Sequence, residues 1–347
     1  MPDAEVLRLL DANVNRAVEG IRLLEETARM IFNDQDLTRR IKEIRHSIVR
    51  IVNSNDTMGK SLLFARDSER DVLRTGEIPS EKDRADIAAM TKANASRAQE
   101  AVRVLEEFSK LVFPALSERF KDIRFQLYDI EKVLFSRIHR EDLINRERLK
   151  LTVVIHRELS AECTLSDLAR VVIRAGGKTV VYSDTVSSDE EMVKNASVLA
   201  SAAYEMHATS LISGRVDIAL AAEADGVWIR PHDIPVRTCR SIAGMHFVVG
   251  YSVSLDCQVS EVVDAGADVY VVGPVFREGR SRNSEEKLLE NFVSQVSAPV
   301  VIHGSVGKDN LTRLLACGIT GIVVKPEFSD MDGMIRELEQ YRALLDR

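Results

Sequence analysis

One stretch of this chain occurs twice. Residues 12–32 read ANVNRAVEGIRLLEETARMIF, residues 93–113 read ANASRAQEAVRVLEEFSKLVF, and ten of these twenty-one positions are identical at a constant offset of 81. Chance agreement at average composition would give about one. Repetition at this level marks a duplicated structural unit, so the N-terminal part of the chain is expected to carry an internal pseudo-symmetry. The period is too long and the copies too few for a solenoid, which leaves a single pseudo-symmetric domain. Weaker echoes follow each copy: Lys42, Ile44 and Arg45 match Lys121, Ile123 and Arg124 at an offset of 79.

Both copies are helical by pattern. Val14, Ala17, Ile21, Leu24, Ala28 and Ile31 follow the i, i+3/i+4 spacing of an amphipathic helix, as do Ala95, Ala98, Val102, Leu105 and Val112. Opposite those stripes fall Arg16, Glu19, Arg22 and Glu26 in the first copy, and Arg97, Glu100, Arg103 and Glu107 in the second. The repeated identities therefore lie largely on the polar side, where packing alone leaves a helix free to vary. One reading is a solvated face with ion pairs worth a few tenths of a kcal/mol each. The other is a polar site shared between the copies, to which Asn13 and Asn94 also belong. Repetition of the pattern favours the second.

At 347 residues the chain is long enough for two domains with separate cores. Its 29% charged and 5% aromatic residues suit a soluble, helix-rich protein. A net charge of −7 and a pI near 5.7 argue against a nucleic-acid surface. No apolar run approaches the roughly 18 residues of a membrane span, and the N-terminus lacks a signal-peptide apolar core. Cys163, Cys239, Cys257 and Cys317 have neither zinc-site nor disulfide-framework spacing. Cytoplasm is the expected compartment.

Nearly every segment up to about residue 138 reads as helix. A polar connector at 53–79 separates the halves and holds the charge-dense run Arg66, Asp67, Glu69, Arg70 and Asp71. Within it Gly59-Lys60-Ser61 looks like the end of a phosphate-binding loop, but position 54 is Ser where that motif needs Gly, and no strand precedes it. The stretch 139–150 has little apolar content. The expected division is a duplicated all-α domain over 1–140, a linker over 141–150, and a second domain over 151–347.

In that second domain short β-branched runs alternate with helices. Strands are expected at 151–155, 179–182, 210–212, 226–229, 247–253, 269–275, 300–303 and 321–324, with a final helix at 331–345. Eight such units in about 200 residues predict an α/β (β/α)8 TIM barrel, with a doubly wound sheet as the alternative. In a barrel the chemistry belongs to strand C-termini.

The stretches RVDIALAAEADGVWIRPHDIP (215–235), GYSVS (250–254), GADVYVVGPVF (266–276), PVVIHGSV (299–306) and GITGIVV (318–324) resemble thiamine phosphate synthase. That family's barrel joins a pyrimidine diphosphate to a thiazole phosphate with loss of pyrophosphate. The signature DAN-NRA-EG-R-LEE at 11–26 resembles a helical module fused ahead of some such synthases. The module is associated with phosphorylating hydroxymethylpyrimidine phosphate to the diphosphate.

The barrel departs from the family at its chemical positions. Where the family places Gln-x-Arg-x-Lys after strand 2, this chain has Tyr182-Ser183-Asp184-Thr185-Val186. Ser213-Gly214 replaces the family's Asn-Asp, whose carboxylate binds Mg2+, while the second metal carboxylate persists as Asp233. Ser252 is retained, and Glu278-Gly279-Arg280-Ser281 replaces Thr-x-Thr-Lys after strand 6. Gly304 survives with Ser305 in place of a second glycine. The phosphate-binding Ser after strand 8 aligns with Pro326, and Ser254 stands where tautomerase relatives carry His. Arg230, His232, Arg277, Arg280, Arg282, His303 and Lys325 instead collect at predicted strand ends. Arginine can grip phosphate with two parallel hydrogen bonds. The alternative is that these are loop charges paired with Glu278, Glu285 and Glu286. Trp228, where the family has His, is expected to fill the barrel.

The resemblance implies a transferase of thiamine biosynthesis that acts on phosphorylated pyrimidine and thiazole substrates with Mg2+. It also allows ATP as a phosphoryl donor and a homo-oligomer, and neither nucleic acid nor membrane is expected as a partner. Catalytic candidates are Arg16, Glu19, Arg22, Glu26, Arg97, Glu100, Arg103 and Glu107. Asn13, Asn94, Ser252, Arg277, Arg280, Gly304, Ser305 and Lys325 are candidates for substrate or phosphate binding, and Asp233 for the metal. The alternative function is a non-catalytic barrel that binds a phosphorylated metabolite or serves as a scaffold.

Overall fold

The structure, a computed structural model, describes residues 4–53, 56–65, 85–156, 164–257, 259, 262, 266–276, 281–326 and 331–346. The chain separates into two compact units, Met1–Ile138 and His139–Arg347.

The first unit is helical. Its elements are α1 (Ala4–Glu26), a π-helical turn (Thr27–Ile31), α2 (Gln35–Asn53), α3 (Asp56–Ala65), α4 (Ile87–Val112) and α5 (Ser117–Leu143). Residues of α5 from His139 onward belong to the second unit. Gly59, Lys60 and Ser61 lie within α3, so they form no loop; the charge-dense run 66–71 falls outside the described residues.

The expected stripes are buried: Ala17, Ile21 and Leu24 from α1 and Ala28 from the π-helical turn meet Ala95, Ala98, Val102 and Leu105 from α4 in one core. The other two walls repeat a single spacing, Ile41, Ile44, Ile48 and Ile51 on α2 and Phe120, Ile123, Leu127 and Ile130 on α5. Ile31 departs from expectation and is 47% exposed. Its wider i→i+5 turn rotates it off the α-helical stripe. Small residues let α1 and α4 approach closely. A Cβ added at Gly20 would lie 2.9 Å from the carbonyl oxygen of Asn94 and 3.2 Å from Cβ of Ala98.

The second unit is a closed parallel barrel. Its strands β1 (Leu151–His156), β2 (Thr179–Ser183), β3 (Thr209–Ser213), β4 (Gly226–Ile229), β5 (Val248–Val253), β6 (Val269–Val275), β7 (Val300–Gly304) and β8 (Gly321–Val324) lie in sequence order. β8 pairs with β1, so the sheet has no edges and the doubly wound alternative is excluded. Outside it lie α7 (Leu165–Arg174), α8 (Asp189–Glu205), α9 (Val216–Ala221), α10 (Val236–Ala243), α11 (Arg282–Gln295), α12 (Lys308–Ala316) and α13 (Met331–Leu345), with the short α6 (Arg146–Leu149) before β1. The helix expected between β5 and β6 falls on residues mostly outside those described.

Alternation along the strands gives two cores. Val153, Ile155, Val180, Tyr182, Val227 and Val249 pack with the outer helices. Val154, Val181, Leu211, Trp228, Val248, Val271, Val301 and Val323 form a separate cluster. Trp228 is part of that cluster, as expected of a residue that fills the barrel.

The stretch expected as a linker is structured. It forms the end of α5 and then α6, and its few apolar side chains, Leu143, Ile144 and Leu149, join the Trp228 cluster. The Oγ1 of Thr209 donates to the Leu143 carbonyl at 2.8 Å, and that of Thr179 to the Arg148 carbonyl at 2.9 Å. Mean polarity hid this role because three well-placed residues suffice to cover the strand N-termini. Among the described residues, no helix is long and apolar enough to cross a membrane.

Candidate functional site

In the helical unit the repeated charges form two matching clamps. Arg22 Nη1 lies 3.0 Å from Oε1 of Glu25, and its Nη2 pairs with Glu26. Arg45 of α2 reaches the other oxygen of Glu25 through Nε at 2.7 Å. In the second copy Arg103 Nη1 lies 2.6 Å from Glu106 and Nη2 2.8 Å from Glu107, while Arg124 of α5 meets Glu106 through Nε at 2.8 Å. The same atoms are used in both copies. Glu25 and Glu106 are buried, so each carboxylate is a fixed two-pronged tie between neighbouring helices.

Sequence reasoning missed both glutamates, although each is the first Glu of a repeated LEE. A wheel drawn for one helix shows the face but not the partner. Their partners were visible only as the Arg45 and Arg124 echo. Hydrogen bonds and charge from Lys110, with charge from Arg103, hold the Glu107 carboxyl below its usual range against the opposing effect of desolvation.

Asn13 and Asn94 lie on the packed side. Each is buried and donates its Nδ2 to a carbonyl one turn back, Leu9 at 2.9 Å and Met90 at 2.8 Å. Arg16, Glu19, Arg97 and Glu100 are exposed. The copies also differ. Gln99 donates to Glu131 at 2.7 Å, whereas the positions aligned with this pair hold Val18 and Val52, which pack against the core. Tyr128 accepts from Arg124 at 3.1 Å, and its aligned position is Val49. A cavity of about 430 Å³ opens on the second copy, lined by Ser96, Gln99, Glu100, Arg103, Val104 and Tyr128.

At the C-terminal ends of the barrel strands, Asp184 follows β2 and organises its own loop. It accepts from the N–H groups of Val186 and Ser187 at 2.9 and 3.0 Å and from the Tyr182 hydroxyl at 2.9 Å. Burial pushes its carboxyl up, but hydrogen bonds from Ser187, Val186 and Tyr182 outweigh this and hold it at about 2. The Ser252 hydroxyl accepts from the Trp228 indole N–H.

At the end of β7, Gly304 has φ +138°, and a Cβ there would lie 2.4 Å from backbone atoms of Val275. The next three N–H groups are already occupied: Ser305 with the Val275 carbonyl at the end of β6, Val306 with the Gly304 carbonyl, and Gly307 with Asn310 Oδ1 in the following helix. Ser305 and Lys325 are exposed at this end of the barrel. Arg277, Arg280 and Glu278 lie outside the described residues.

Among the described residues, neither Arg230 nor Arg282 pairs with Glu285 or Glu286 as expected. Glu285 is buried and accepts the N–H of Phe276, a residue at φ +57°. Glu286 pairs with Arg313 at 2.6 Å. Arg282 turns to Asp309 at 3.7 Å and stacks over Phe276.

Asp233 does not fit its expected role as a Mg2+ ligand. Its Oδ2 accepts from the Arg230 N–H at 2.8 Å and from Nε at 3.1 Å, and Oδ1 accepts from Nη2 at 3.3 Å. Mg2+ requires a near-octahedral oxygen shell, and this carboxylate is already covered by a cation. Among the described residues no group of three acidic, His or Cys side chains could hold a metal.

These features have relatives. Residues 8–133 match the ThiD2 family, and residues 151–327 match thiamine monophosphate synthase. A thiamine-phosphate synthase of Prochlorococcus marinus is 30% identical over 93% of this chain and 92% of its own length. One of Rhodopirellula baltica is 30% identical over 99% and 93%. A thiamine phosphate pyrophosphorylase structure from Pyrococcus furiosus superposes with a TM-score of 0.50 at 29% identity, covering 58% of this chain and 97% of that one. These likenesses do not favour a non-catalytic scaffold. Sharing both parts with relatives of its own length, the chain belongs to the thiamine monophosphate synthase family and is a transferase of thiamine biosynthesis.

Proposed function

We propose that the two units catalyse consecutive steps. The helical unit transfers a phosphoryl group from ATP, which enters as its Mg2+ complex, to hydroxymethylpyrimidine phosphate. The barrel then couples the diphosphate to thiazole phosphate and releases pyrophosphate. The observation that carries this reading is the succession of both family matches along one chain, 8–133 then 151–327.

Phosphoryl transfer needs positioned charge more than a covalent nucleophile. In this reading the second-copy cavity is the kinase site. Arg103, held from behind by Glu106, grips phosphate, and Glu100 and Tyr128 orient the acceptor. The matching clamps and core spacings support descent of the halves from one duplicated helix pair. With Val18, Leu23 and Val49 at the aligned positions, the first copy serves as the structural partner.

The test is one incubation of the full chain with hydroxymethylpyrimidine phosphate, ATP, Mg2+ and thiazole phosphate, followed by mass. Both the pyrimidine diphosphate and thiamine phosphate are expected. Arg103→Ala should lower diphosphate formation at least tenfold, with Arg22→Ala within threefold of wild type. Absence of both products from the wild type would refute the reading, and equal losses in the two variants would refute the second-copy assignment.

A further inference from the structure

At the end of β4 the Arg230 guanidinium lies flat against Asp233, with Nε on Oδ2 at 3.1 Å and Nη2 on Oδ1 at 3.3 Å. This two-point pairing fixes the plane of the fork. Asp233 is largely shielded at 16% side-chain exposure, whereas Arg230 is 53% exposed, so the cation forms the open side of the pair. Nη1 has no partner among the described residues.

Gly214, at the end of β3, explains how the fork fits. A Cβ there would lie 2.8 Å from Arg230 Nη2 and 3.3 Å from Asp233 Oδ2. The guanidinium therefore fills the space that any side chain at 214 would need. A second carboxylate at 214 and this placement of Arg230 exclude each other. Two carboxylates facing one another would attract a divalent cation. One carboxylate facing a glycine accommodates a guanidinium instead.

We propose that Arg230, clamped by Asp233 beside Gly214, is the fixed cation that holds the substrate's diphosphate and the product pyrophosphate at the barrel mouth in place of a divalent metal. The inference rests on the synthase reading of the barrel. Nη1 and the outer N–H of Nη2 form a second donor edge whose spacing matches two phosphate oxygens. Asp233 acts as a positioning residue that keeps this edge pointing outward. Charge gathers on the departing diphosphate as its bond to the pyrimidine methylene breaks, and a cation already in place stabilises it without reorganisation.

The experiment is calorimetric titration of the full chain with inorganic pyrophosphate, once in EDTA and once with Mg2+. The wild type should bind in EDTA within threefold of its affinity with Mg2+, and Arg230→Met should weaken binding in EDTA at least tenfold. A double variant, Arg230→Met with Gly214→Asp, rebuilds the two-carboxylate arrangement and should bind pyrophosphate only with Mg2+. Asp is among the residues that best tolerate the positive φ of +76° at this position. Wild-type binding that requires Mg2+, or unchanged binding by Arg230→Met, would overturn the inference while leaving the synthase reading standing. No binding by the wild type in either buffer would remove both.

Discussion

Replacing Gly20 with Ala sets two effects of similar size against each other. In mid-helix the change gains about 1 kcal/mol of intrinsic helix propensity. At this site, however, the new Cβ would sit 2.9 Å from a backbone carbonyl oxygen and 3.2 Å from the Cβ of Ala98, neither of which is the mobile end of a long side chain. α1 and α4 would have to separate by several tenths of an ångström, and overpacking of this kind costs about 1–3 kcal/mol. Packing should win by about 1 kcal/mol. With a urea dependence of roughly 2 kcal/mol/M, the midpoint should fall by about 0.5 M. Gly59 in α3 is the control, since its added Cβ would meet only the Val52 carbonyl at 3.5 Å, an ordinary contact. Gly59→Ala should therefore raise the midpoint. Far-UV circular dichroism follows both units, whereas the single tryptophan, Trp228, reports on the barrel alone. The Gly20 shift should appear in the first signal. Stabilisation by Gly20→Ala, or the same sign for both variants, would show that the helices do not meet as closely as described.

Glu25→Gln and Glu106→Gln should each destabilise the helical unit by about 2–3 kcal/mol in urea unfolding, because each leaves a largely shielded arginine without its counter-charge; this is below the full buried-pair penalty because Arg45 and Arg124 keep some exposure to solvent. Glu106→Gln should also lower diphosphate formation at least tenfold, and a comparable loss in folded Glu25→Gln would contradict the assignment of the site to the second copy. Asp184 is held at about 2, below the usual carboxylate value of 3.8, so its stabilising contribution is complete above about pH 4 and is lost as the pH falls through about 2. The urea-midpoint gap between wild type and Asp184→Ala should narrow over that window, and a gap that widens with acidification would refute the assignment.

Much of the barrel was legible because its signal is local. Each strand is a short β-branched run, and β4, β6 and β8 fall on the residues expected. The repeat likewise marked its buried stripes, with Ile31 lost to a π turn that no apolar period announces. The candidate site was less legible. Arg22, Glu26, Arg103 and Glu107 do lie in charged clusters, yet those clusters are anchored by the buried Glu25 and Glu106 on the same helices and by Arg45 and Arg124, which come from facing helices. Asn13 and Asn94 are both packed and bonded one turn back, and repetition alone does not separate such packing from function.

The amino-acid sequence by itself determined what depends on neighbours along the chain: helix and strand periods, the duplicated stretch, the order of eight strands and the family these imply. Tertiary structure decided which charges meet. Asp233 reads as a metal ligand until Arg230 is found on it, and Gly214 reads as a lost carboxylate until its missing side chain proves to be the space that Arg230 fills. The physical reason is range. Backbone preferences act over a few residues, whereas a carboxylate's role is set by whichever cation, N–H or neighbour the fold brings within about 3 Å of it.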